Sequence, residues 1–316
     1  MNLNEKLLIT GGAGFLGRRV VEAFRVCGYK NIFVPRSEQF DLKEQSAVRQ
    51  LIAESQPAKV VHLAARVGGI EANQKNPGRF FYDNAMMGIM LMEEARRAGV
   101  DKFVSVGTIC AYPKYAPIPF SENDLWQGYP EETNAPYGLA KKMLLVQGQA
   151  YRKQYNFNAI YLLPANLYGP ADNFDPESSH VIPSLIKKFV QAAGSGIDEV
   201  EVWGDGSATR EFLFVDDCAR AIVLATEKYD NFEPVNIGTG SEISIKELVA
   251  LIVRLINFQG KIIWNNSKLV GQPRRKLDTT RAKNFFGFES QITLAQGLEQ
   301  TIDWYKAQHV NAKEPQ

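Results

Sequence analysis

The chain has 316 residues, 45% of them hydrophobic, and its 36 Lys and Arg residues are nearly balanced by 35 Asp and Glu residues. This length exceeds the roughly 100–200 residues of a typical domain and favours two lobes. The balanced charge gives no bulk attraction to nucleic acid or to an anionic membrane. No apolar run reaches the roughly 18 residues of a membrane-spanning helix, and no signal-peptide pattern precedes the first strand. We therefore expect a soluble, cytoplasmic protein without membrane or nucleic-acid partners.

The first predicted element is a strand over residues 6–10, which leads directly into a glycine-rich turn and an apolar-periodic helix. In this turn, Gly11, Gly14 and Gly17 allow tight bending, close approach of the backbone to a pyrophosphate, and close packing of helix on strand. The N-terminus of the helix favours anionic phosphates. The order of strand, turn and helix predicts a dinucleotide-binding site.

The second predicted strand, over residues 31–35, is followed by Arg36 rather than by a carboxylate. An acidic residue at this point holds the ribose hydroxyls of NAD, whereas an arginine accommodates the 2′-phosphate of NADP. We predict NADP (NADPH) as the cofactor, with Arg36 at the phosphate. The alternative is that Glu38 or Asp41 plays the acidic part.

Further strands are predicted over 60–65, 102–108, 158–163 and 235–237, and they alternate with helices over 46–54, 80–98 and 219–228. This alternation indicates an α/β fold with a Rossmann-type, doubly wound parallel sheet. After residue 170 the sequence becomes rich in loops, with a helix over 183–193, and we expect a smaller α/β lobe for substrate. The predicted domains are 1–168 with 212–238 for the dinucleotide, and 169–211 with 239–316 for the substrate.

Two residues on the helix that follows the fourth predicted strand point to proton transfer. Tyr137 and Lys141 are four residues apart, so they share a helix face. A nearby ammonium can lower the pKa of the phenol and help it exchange a proton with a substrate oxygen. Thr108, at the end of the preceding strand, supplies another hydroxyl.

The three cysteines, Cys27, Cys110 and Cys218, are odd in number and lack the spacing of a metal site. They predict neither a disulfide framework nor bound zinc. From the residues alone, Cys110 is more often explained as buried packing than as a reactive thiol, and His180 is equally explained as a surface or capping residue or as an acid–base group.

With the glycine turn and the Tyr/Lys pair placed, the chain resembles the extended short-chain dehydrogenase/reductase family over essentially its whole length. Within that family, further segments are similar to those of enzymes that act on GDP-4-keto-6-deoxy-D-mannose. These segments are 67–70, 110–114, 166–170, 179–183, 203–206, 210–213 and 271–274. The resemblance implies NADPH-dependent 3,5-epimerisation and 4-reduction of this GDP-sugar to GDP-L-fucose, by a homodimer.

The resemblance also implies the catalytic roles. Cys110 acts as the base and His180 as the acid of the epimerisation, while Tyr137 and Thr108 hold the charge that forms on the ketone oxygen. Tyr137 then delivers a proton to O4, and Lys141 lowers the pKa of Tyr137 and holds the nicotinamide ribose.

The binding residues follow from the same resemblance. The implied cofactor contacts are Gly11, Gly14, Phe15, Leu16, Gly17, Arg36, Asp41, Leu42, Leu63, Ala64, Ala65, Tyr137, Lys141, Pro164, Asn166, Leu167 and His180. The implied substrate contacts are Asn166, Lys188, Trp203, Arg210 and Arg274, with Arg210 as a pyrophosphate ligand. The adjacent Arg275 and Lys276 are predicted to lie on a solvated basic face.

Two departures from the family pattern leave the sugar open. Lys188 stands where arginine is expected and replaces a bidentate fork with a point charge. Thr108-Ile109 stands where paired serines are expected.

Three other interpretations remain. A related GDP-4-keto sugar, such as a 6-deoxy-heptose or a 3,6-dideoxy sugar, would use the same residues. A nucleotide-sugar 4,6-dehydratase or a UDP-sugar 4-epimerase shares the fold, but the dehydratase carries carboxylates where this chain has Ile109-Cys110, and Arg36 disfavours the NAD-dependent epimerase. A non-catalytic NADPH-binding regulator on the same fold would not need the complete set of catalytic residues.

Overall fold

The computed structural model describes residues 3–267 and 272–309. Gly271, which opens one of the segments that resemble the family, and residues 310–316 of the predicted substrate domain lie outside the described residues. The strands are β1 (Leu7–Thr10), β2 (Ile32–Phe33), β3 (Lys59–His62), β4 (Lys102–Val106), β5 (Ala159–Pro164), β6 (Asn166–Tyr168), β7 (Glu199–Trp203), β8 (Thr209–Arg210), β9 (Phe212–Phe214), β10 (Val235–Ile237), β11 (Ile243–Ser244) and β12 (Lys261–Asn265). The helices are α1 (Phe15–Val26), α2 (Gln45–Ser55), α3 (Ile70–Lys75), α4 (Pro77–Arg97), α5 (Ala135–Tyr155), α6 (Val181–Ser195), α7 (Val215–Lys228), α8 (Ile245–Ile256), α9 (Thr280–Phe286) and α10 (Leu294–His309).

The main sheet has six parallel strands in the order β10-β5-β4-β3-β1-β2. Most of its central residues are buried, as expected for a parallel sheet that is covered on both faces. The strand order reverses between β1 and β3, so right-handed crossovers place α1 on one face and α2, α4 and α5 on the other. The predicted Rossmann-type, doubly wound fold is confirmed.

The carboxyl ends of the strands bring distant segments to one edge of this sheet. The glycine turn follows β1, residues 63–65 follow β3, Thr108 follows β4, and Asn166 follows β5. Ligands of open α/β sheets bind at this edge, where the strand order reverses. The candidate site lies there.

A second hydrophobic cluster lies outside the main sheet and is built mainly from α6, α8 and α10. Two-stranded sheets accompany it, with β7 parallel to β12 and β8 antiparallel to β11. The segment from Leu277 to Phe288 differs from the predicted division, because its apolar side chains join the first cluster where α9 packs on β10 and α7. The domain boundaries otherwise stay a prediction.

No helix within the described residues has both the length and the apolar character needed to cross a membrane. Across residues 3–267 and 272–309, no cluster of three or more His, Cys, Asp or Glu side chains is arranged to hold a metal ion. Cys27, Cys110 and Cys218 are free thiols.

Candidate active site

The turn between β1 and α1 approaches its neighbours too closely for side chains. Gly11 has a φ of +70°, and a Cβ atom there would lie 2.7 Å from the backbone nitrogen of Ala64. A Cβ atom on Gly17 would lie 2.0 Å from the carbonyl oxygen of Gly11. Because α1 begins at Phe15 without a side-chain cap, its first N–H groups point towards this turn. The turn therefore fits the pyrophosphate of a dinucleotide.

The other predicted cofactor residues lie along the same edge of the sheet. Phe15 and Leu16 open α1, Pro164 ends β5, and Leu167 lies in β6. The close approach of Gly11 to Ala64 holds the Leu63–Ala65 segment beside the glycine turn, whereas Leu42 is buried in the first hydrophobic cluster. Their contacts with a cofactor stay a prediction.

Two residues after β2, Arg36 and Asp41, could contact the adenosine ribose of a cofactor or its 2′-phosphate, and they differ in their surroundings. Asp41 accepts a hydrogen bond from Lys43 Nζ at 2.8 Å, and this bond holds the pKa of Asp41 below its ordinary value. The Arg36 side chain is 61% exposed, and it lies 3.9 Å from the Glu38 carboxylate. Asp41 is thus engaged by Lys43, whereas Arg36 is accessible to an anionic group such as a 2′-phosphate.

The predicted proton-transfer residues converge where α5 packs on the loop after β4. Tyr137 lies in the first turn of α5, and Lys141 follows one turn later. Thr108 caps the 3₁₀ turn Ile109–Ala111, with its Oγ1 accepting a hydrogen bond from the Cys110 N–H at 3.2 Å. A Cβ atom on Gly138 would lie 2.4 Å from the Cys110 carbonyl oxygen, so helix and turn touch backbone to backbone.

Burial shifts the pKa of both titratable side chains on this face of α5. It raises the pKa of Tyr137, nearby Cys110 raises it further, and a hydrogen bond with Thr108 opposes the shift. Desolvation of the phenolate dominates this shift, and the lowering of the pKa of Tyr137 by Lys141 stays a prediction. Burial also lowers the pKa of Lys141, which is 2% exposed, to about 8.

The sulfur of Cys110 has a polar neighbour on each side. Arg275 Nη1 donates a hydrogen bond to Cys110 Sγ at 3.4 Å. On the other side, Cys110 Sγ lies 3.8 Å from Asn134 Oδ1 and donates to it. Cys110 is partly exposed, so its thiol is both accessible and hydrogen-bonded.

Arg275 corrects the prediction of a solvated basic face. It is only 7% exposed, and its Nε donates to Gln272 Oε1 at 3.0 Å. Lys276 is partly buried, whereas Arg274 is exposed and forms an ion pair with Glu242. The sequence of three adjacent cations, residues 274–276, does not show which side chain is buried. In the structure Arg275 is the buried one, because it packs against the loop that contains Cys110.

His180 lies directly before α6, but its side chain makes no capping hydrogen bond. The surrounding protein lowers the pKa of His180, and the charge of Arg275 lowers it further, although the residue retains solvent-exposed surface. Its loop is held by the Gly69 N–H, which donates to the Ser178 carbonyl oxygen at 3.1 Å. Arg275 therefore acts on both His180 and Cys110.

The predicted substrate residues form two groups. Burial, followed by the charge of Arg275, lowers the pKa of Arg210 to about 9, and Cys110 also acts on this guanidinium. Asn166 Nδ2 donates to the Glu211 carbonyl oxygen at 2.8 Å. Arg210 therefore lies near Cys110, and Asn166 is hydrogen-bonded to the residue that follows Arg210.

Lys188 and Trp203 lie on α6 and β7 of the second lobe. Arg274 lies closer to Arg210, because it follows Pro273, whose carbonyl oxygen accepts a hydrogen bond from Arg210 Nη1 at 3.4 Å. Lys188 Nζ lies 5.6 Å from the centre of the Trp203 ring, which is 47% exposed. Arg274 lines a cavity of about 450 Å³ with Gly204, which follows Trp203 directly.

Several residues of the site were not singled out from the sequence: Glu131, Asn134 and His62. His62 is fully buried, with Nδ1 2.8 Å from Thr10 Oγ1. Burial, followed by Lys141, lowers the pKa of His62 well below its ordinary value. No local signal marks these residues, because their positions depend on strand register and on contacts between distant segments.

A doubly wound sheet with a glycine turn after its first strand, and with a Tyr/Lys pair at the edge where its strand order reverses, defines a dinucleotide-dependent enzyme of the Rossmann type. Residues 7–238 match the NAD dependent epimerase/dehydratase family, and the chain belongs to this family. The resemblance seen in the sequence is confirmed.

Named relatives narrow the comparison. Probable GDP-L-fucose synthase 1 of Oryza sativa subsp. japonica is 41% identical over 309 residues, which cover 98% of this chain and 94% of the relative. A GDP-6-OMe-4-keto-L-xylo-heptose reductase from C. jejuni superposes with a TM-score of 0.92 at 28% identity, covering 98% of this chain and 99% of the other. A GDP-L-fucose synthetase from Naegleria fowleri bound to NADP has a TM-score of 0.90 at 28% identity, covering 99% of this chain and 96% of the other.

Proposed function

We propose that this chain uses NADPH to epimerise C3 and C5 of GDP-4-keto-6-deoxy-D-mannose and to reduce its C4, giving GDP-L-fucose. The strongest support for this proposal is the position of Cys110. It lies on the turn that Thr108 caps and that packs against α5, so its thiol is close to the helix that contains Tyr137. Reduction of a ketone needs the hydroxyl, whereas epimerisation needs an additional acid–base group. The rice relative supports the sugar nucleotide, and the NADP-bound Naegleria enzyme supports the cofactor.

The cofactor site fits the chain's own backbone. Gly11 and Gly17 leave room for a pyrophosphate, the N-terminus of α1 faces it, and Arg36 is accessible to a 2′-phosphate. When bound there, NADPH would supply a hydride to C4, and Lys141 on α5 would hold the nicotinamide ribose.

In the epimerisation, Cys110 as a thiolate removes a proton from the carbon next to the ketone, and His180 returns one to the opposite face. Desolvation and the charge of Arg275 lower the pKa of His180, so its imidazolium gives up a proton readily but is the minor form at neutral pH. Thr108 and Tyr137 donate hydrogen bonds to the ketone oxygen as it gains charge.

In the reduction, Tyr137 donates its proton to O4. Its raised pKa keeps the phenol protonated until the oxygen of the substrate becomes basic. Arg210, beside the catalytic loop, holds the pyrophosphate of the substrate.

We further propose that the protein is a cytoplasmic homodimer. α4 and α5 pack together and both leave large apolar side chains exposed, with Tyr82 55% and Val146 49% exposed. We also propose the division into a dinucleotide domain and a substrate domain that the sequence predicts, except that residues 277–288 pack against the dinucleotide domain.

The test follows the loss of NADPH with GDP-4-keto-6-deoxy-D-mannose in wild type, Cys110→Ser and Cys27→Ser. Cys27 is an exposed cysteine at the end of α1 and serves as the matched control. We expect wild type and Cys27→Ser to turn over alike, and Cys110→Ser to lose about 10²- to 10⁴-fold. In deuterium oxide without NADPH, wild type should incorporate deuterium at C3 and C5; full turnover by Cys110→Ser would contradict the proposal.

A second candidate is reduction of a GDP-4-keto-heptose, favoured by the structural match to the C. jejuni reductase. NADPH oxidation with such a heptose, together with none on the 6-deoxy-mannose compound, would select it.

A further inference from the structure

A row of buried polar side chains passes through Cys110. From one end to the other it runs through Glu131, Asn134, Cys110, Arg275 and Gln272. Apart from Cys110, each of these residues is less than a tenth exposed. Burying polar side chains costs free energy unless every donor meets an acceptor. The donors and acceptors along this row therefore fix the orientation of each side chain in it.

The orientation of the Asn134 amide is set by Glu131. Burial raises the pKa of Glu131, but hydrogen bonds from Thr133 and Asn134 outweigh it, so the pKa is lowered and the side chain is a carboxylate. A carboxylate only accepts hydrogen bonds, so the Asn134 amide nitrogen must face it, and this Nδ2–Oε2 distance is 2.5 Å. The Asn134 oxygen is thereby turned towards Cys110 Sγ.

The orientation of Arg275 is set from the opposite side. Gln272 Nε2 donates to the Lys114 carbonyl oxygen at 2.7 Å, which leaves Gln272 Oε1 to accept from Arg275 Nε. Arg275 Nη1 is then directed at the sulfur. A guanidinium donates hydrogen bonds and never accepts them.

We propose that Arg275 and Asn134 are positioning residues that hold Cys110 in two protonation states in turn. Arg275 donates a hydrogen bond to the thiolate, and Asn134 Oδ1 accepts one from the thiol. This inference rests on the proposed epimerisation and adds to it the groups that allow one sulfur both to take and to release a proton.

Each epimerised carbon loses one proton and gains another. The thiolate takes the proton from carbon, an S–H bond forms, and the electrons of the C–H bond pass to the ketone oxygen as an enolate. His180 gives a proton to the same carbon from the opposite face as the enolate returns to the ketone, and His180 regains a proton from solvent. The new thiol turns its hydrogen to Asn134. When the thiol releases its proton to solvent, the hydrogen bond from Arg275 again stabilises the thiolate.

Other charged or titratable groups also act on this sulfur. Arg210 and Tyr137 both interact electrostatically with Cys110, and Glu131 acts through Asn134. Arg275 differs from these groups because it contacts the sulfur directly.

The experiment measures the rate at which iodoacetamide alkylates Cys110 across a range of pH, without substrate. A Cys27→Ser background removes the exposed cysteine, and Cys218 is buried. We expect Arg275→Gln to alkylate about ten- to one-hundredfold more slowly near neutral pH and its profile to move to higher pH, because a charge-assisted hydrogen bond to the thiolate is lost. Arg275→Lys, which keeps the charge, should recover most of the rate.

Asn134→Leu separates positioning from simple packing. Loss of the acceptor destabilises the thiol rather than the thiolate, so alkylation should stay equal or become faster, while deuterium incorporation into the substrate slows. Lys283→Gln is the control for net charge, because Lys283 is an exposed partner of Glu289 in the same C-terminal segment.

Unchanged alkylation in Arg275→Gln would overturn the role of Arg275, and slower alkylation in Asn134→Leu would overturn the role of Asn134. Alkylation needs no sugar nucleotide. A failure of the proposed function therefore shows in the NADPH assay, and a failure of this inference shows in the thiol profile.

Discussion

Lys141 brings stability and chemistry into conflict at a single residue. It is 2% exposed, and burial lowers its pKa from 10.5 to about 8, so the folded protein holds an ammonium under conditions that disfavour it. In the proposed mechanism this position serves the site, one turn along α5 from Tyr137. Such conflicts are typical of functional residues.

Replacing this lysine should stabilise the protein while removing its function. We expect Lys141→Met to raise the free energy of unfolding at pH 7, without cofactor, by on the order of 1–3 kcal/mol. Below pH 8 Lys141 is protonated in both the folded and the unfolded state, so the wild type bears the full free-energy cost of burying its charge. Between pH 8 and 10.5 the folded wild type releases the proton first, so its stability rises and the gap narrows.

Urea unfolding at several pH values measures this difference, and NADPH oxidation measures the loss of activity. Lys153→Met, at an exposed position of the same helix, should change the unfolding free energy by less than about 0.5 kcal/mol. A less stable Lys141→Met at pH 7 would show that Lys141 gains more from its surroundings than burial costs.

At the scale of elements, the sequence predicted positions better than ends. The helix predicted over 80–98 begins three residues earlier, at Pro77, because proline is well suited to the first turn of a helix. The helix predicted over 46–54 gains one residue at each end as α2. What the periodicity did not predict is how α5 meets the turn after β4.

That contact should be sensitive to a single methyl group. In Gly138→Ala the new Cβ would lie 2.4 Å from the Cys110 carbonyl oxygen, so the backbone must move. We expect a loss of about 1–3 kcal/mol in stability, and a fall in NADPH oxidation of at least about tenfold as Cys110 shifts from Tyr137.

Gly194→Ala is the matched change on α6, where a new Cβ meets no atom within 4 Å. It should stabilise the protein by about 0.5–1 kcal/mol, because alanine favours the helix, and leave NADPH oxidation unaltered. Equal effects of the two substitutions in urea unfolding and activity would show that the contact at Gly138 has no special role.

At the scale of the whole molecule, the exposed apolar surface of α4 and α5 favours an interface with a second copy of the chain. Phe81 and Tyr82 are exposed on α4, and Met143 and Val146 on α5, each by at least 40%. Clusters of exposed apolar side chains mark interaction surfaces. Because α5 also contains Tyr137 and Lys141, a contact on its outer face would brace the active site.

We expect the wild type to sediment as a dimer and the double variant Met143→Glu/Val146→Glu to sediment as a monomer, because two charges per chain would be buried at the interface. Phe232→Glu alters a loop residue that is 51% exposed and should leave the dimer intact. Sedimentation velocity measures all three, and a wild type that stays monomeric at high concentration would refute the dimer.

The sequence by itself determined the features that depend on near neighbours in the chain. The glycine turn, the alternation of strands and helices, and the spacing of Tyr137 and Lys141 follow from backbone freedom and helical periodicity within a few residues. These features were enough to indicate the fold, the family and a catalytic hydroxyl.

Only the tertiary structure decided which side chains share an environment. Arg275 and Cys110 are 165 residues apart in the chain, and nothing local distinguishes Arg275 from the adjacent Arg274. The raised pKa of Tyr137, the lowered pKa of Lys141 and the amide orientation of Asn134 likewise depend on desolvation and on partners from other segments. The physical reason is that burial and hydrogen-bond matching are set by the folded surroundings, whereas local sequence fixes only the element that carries each side chain.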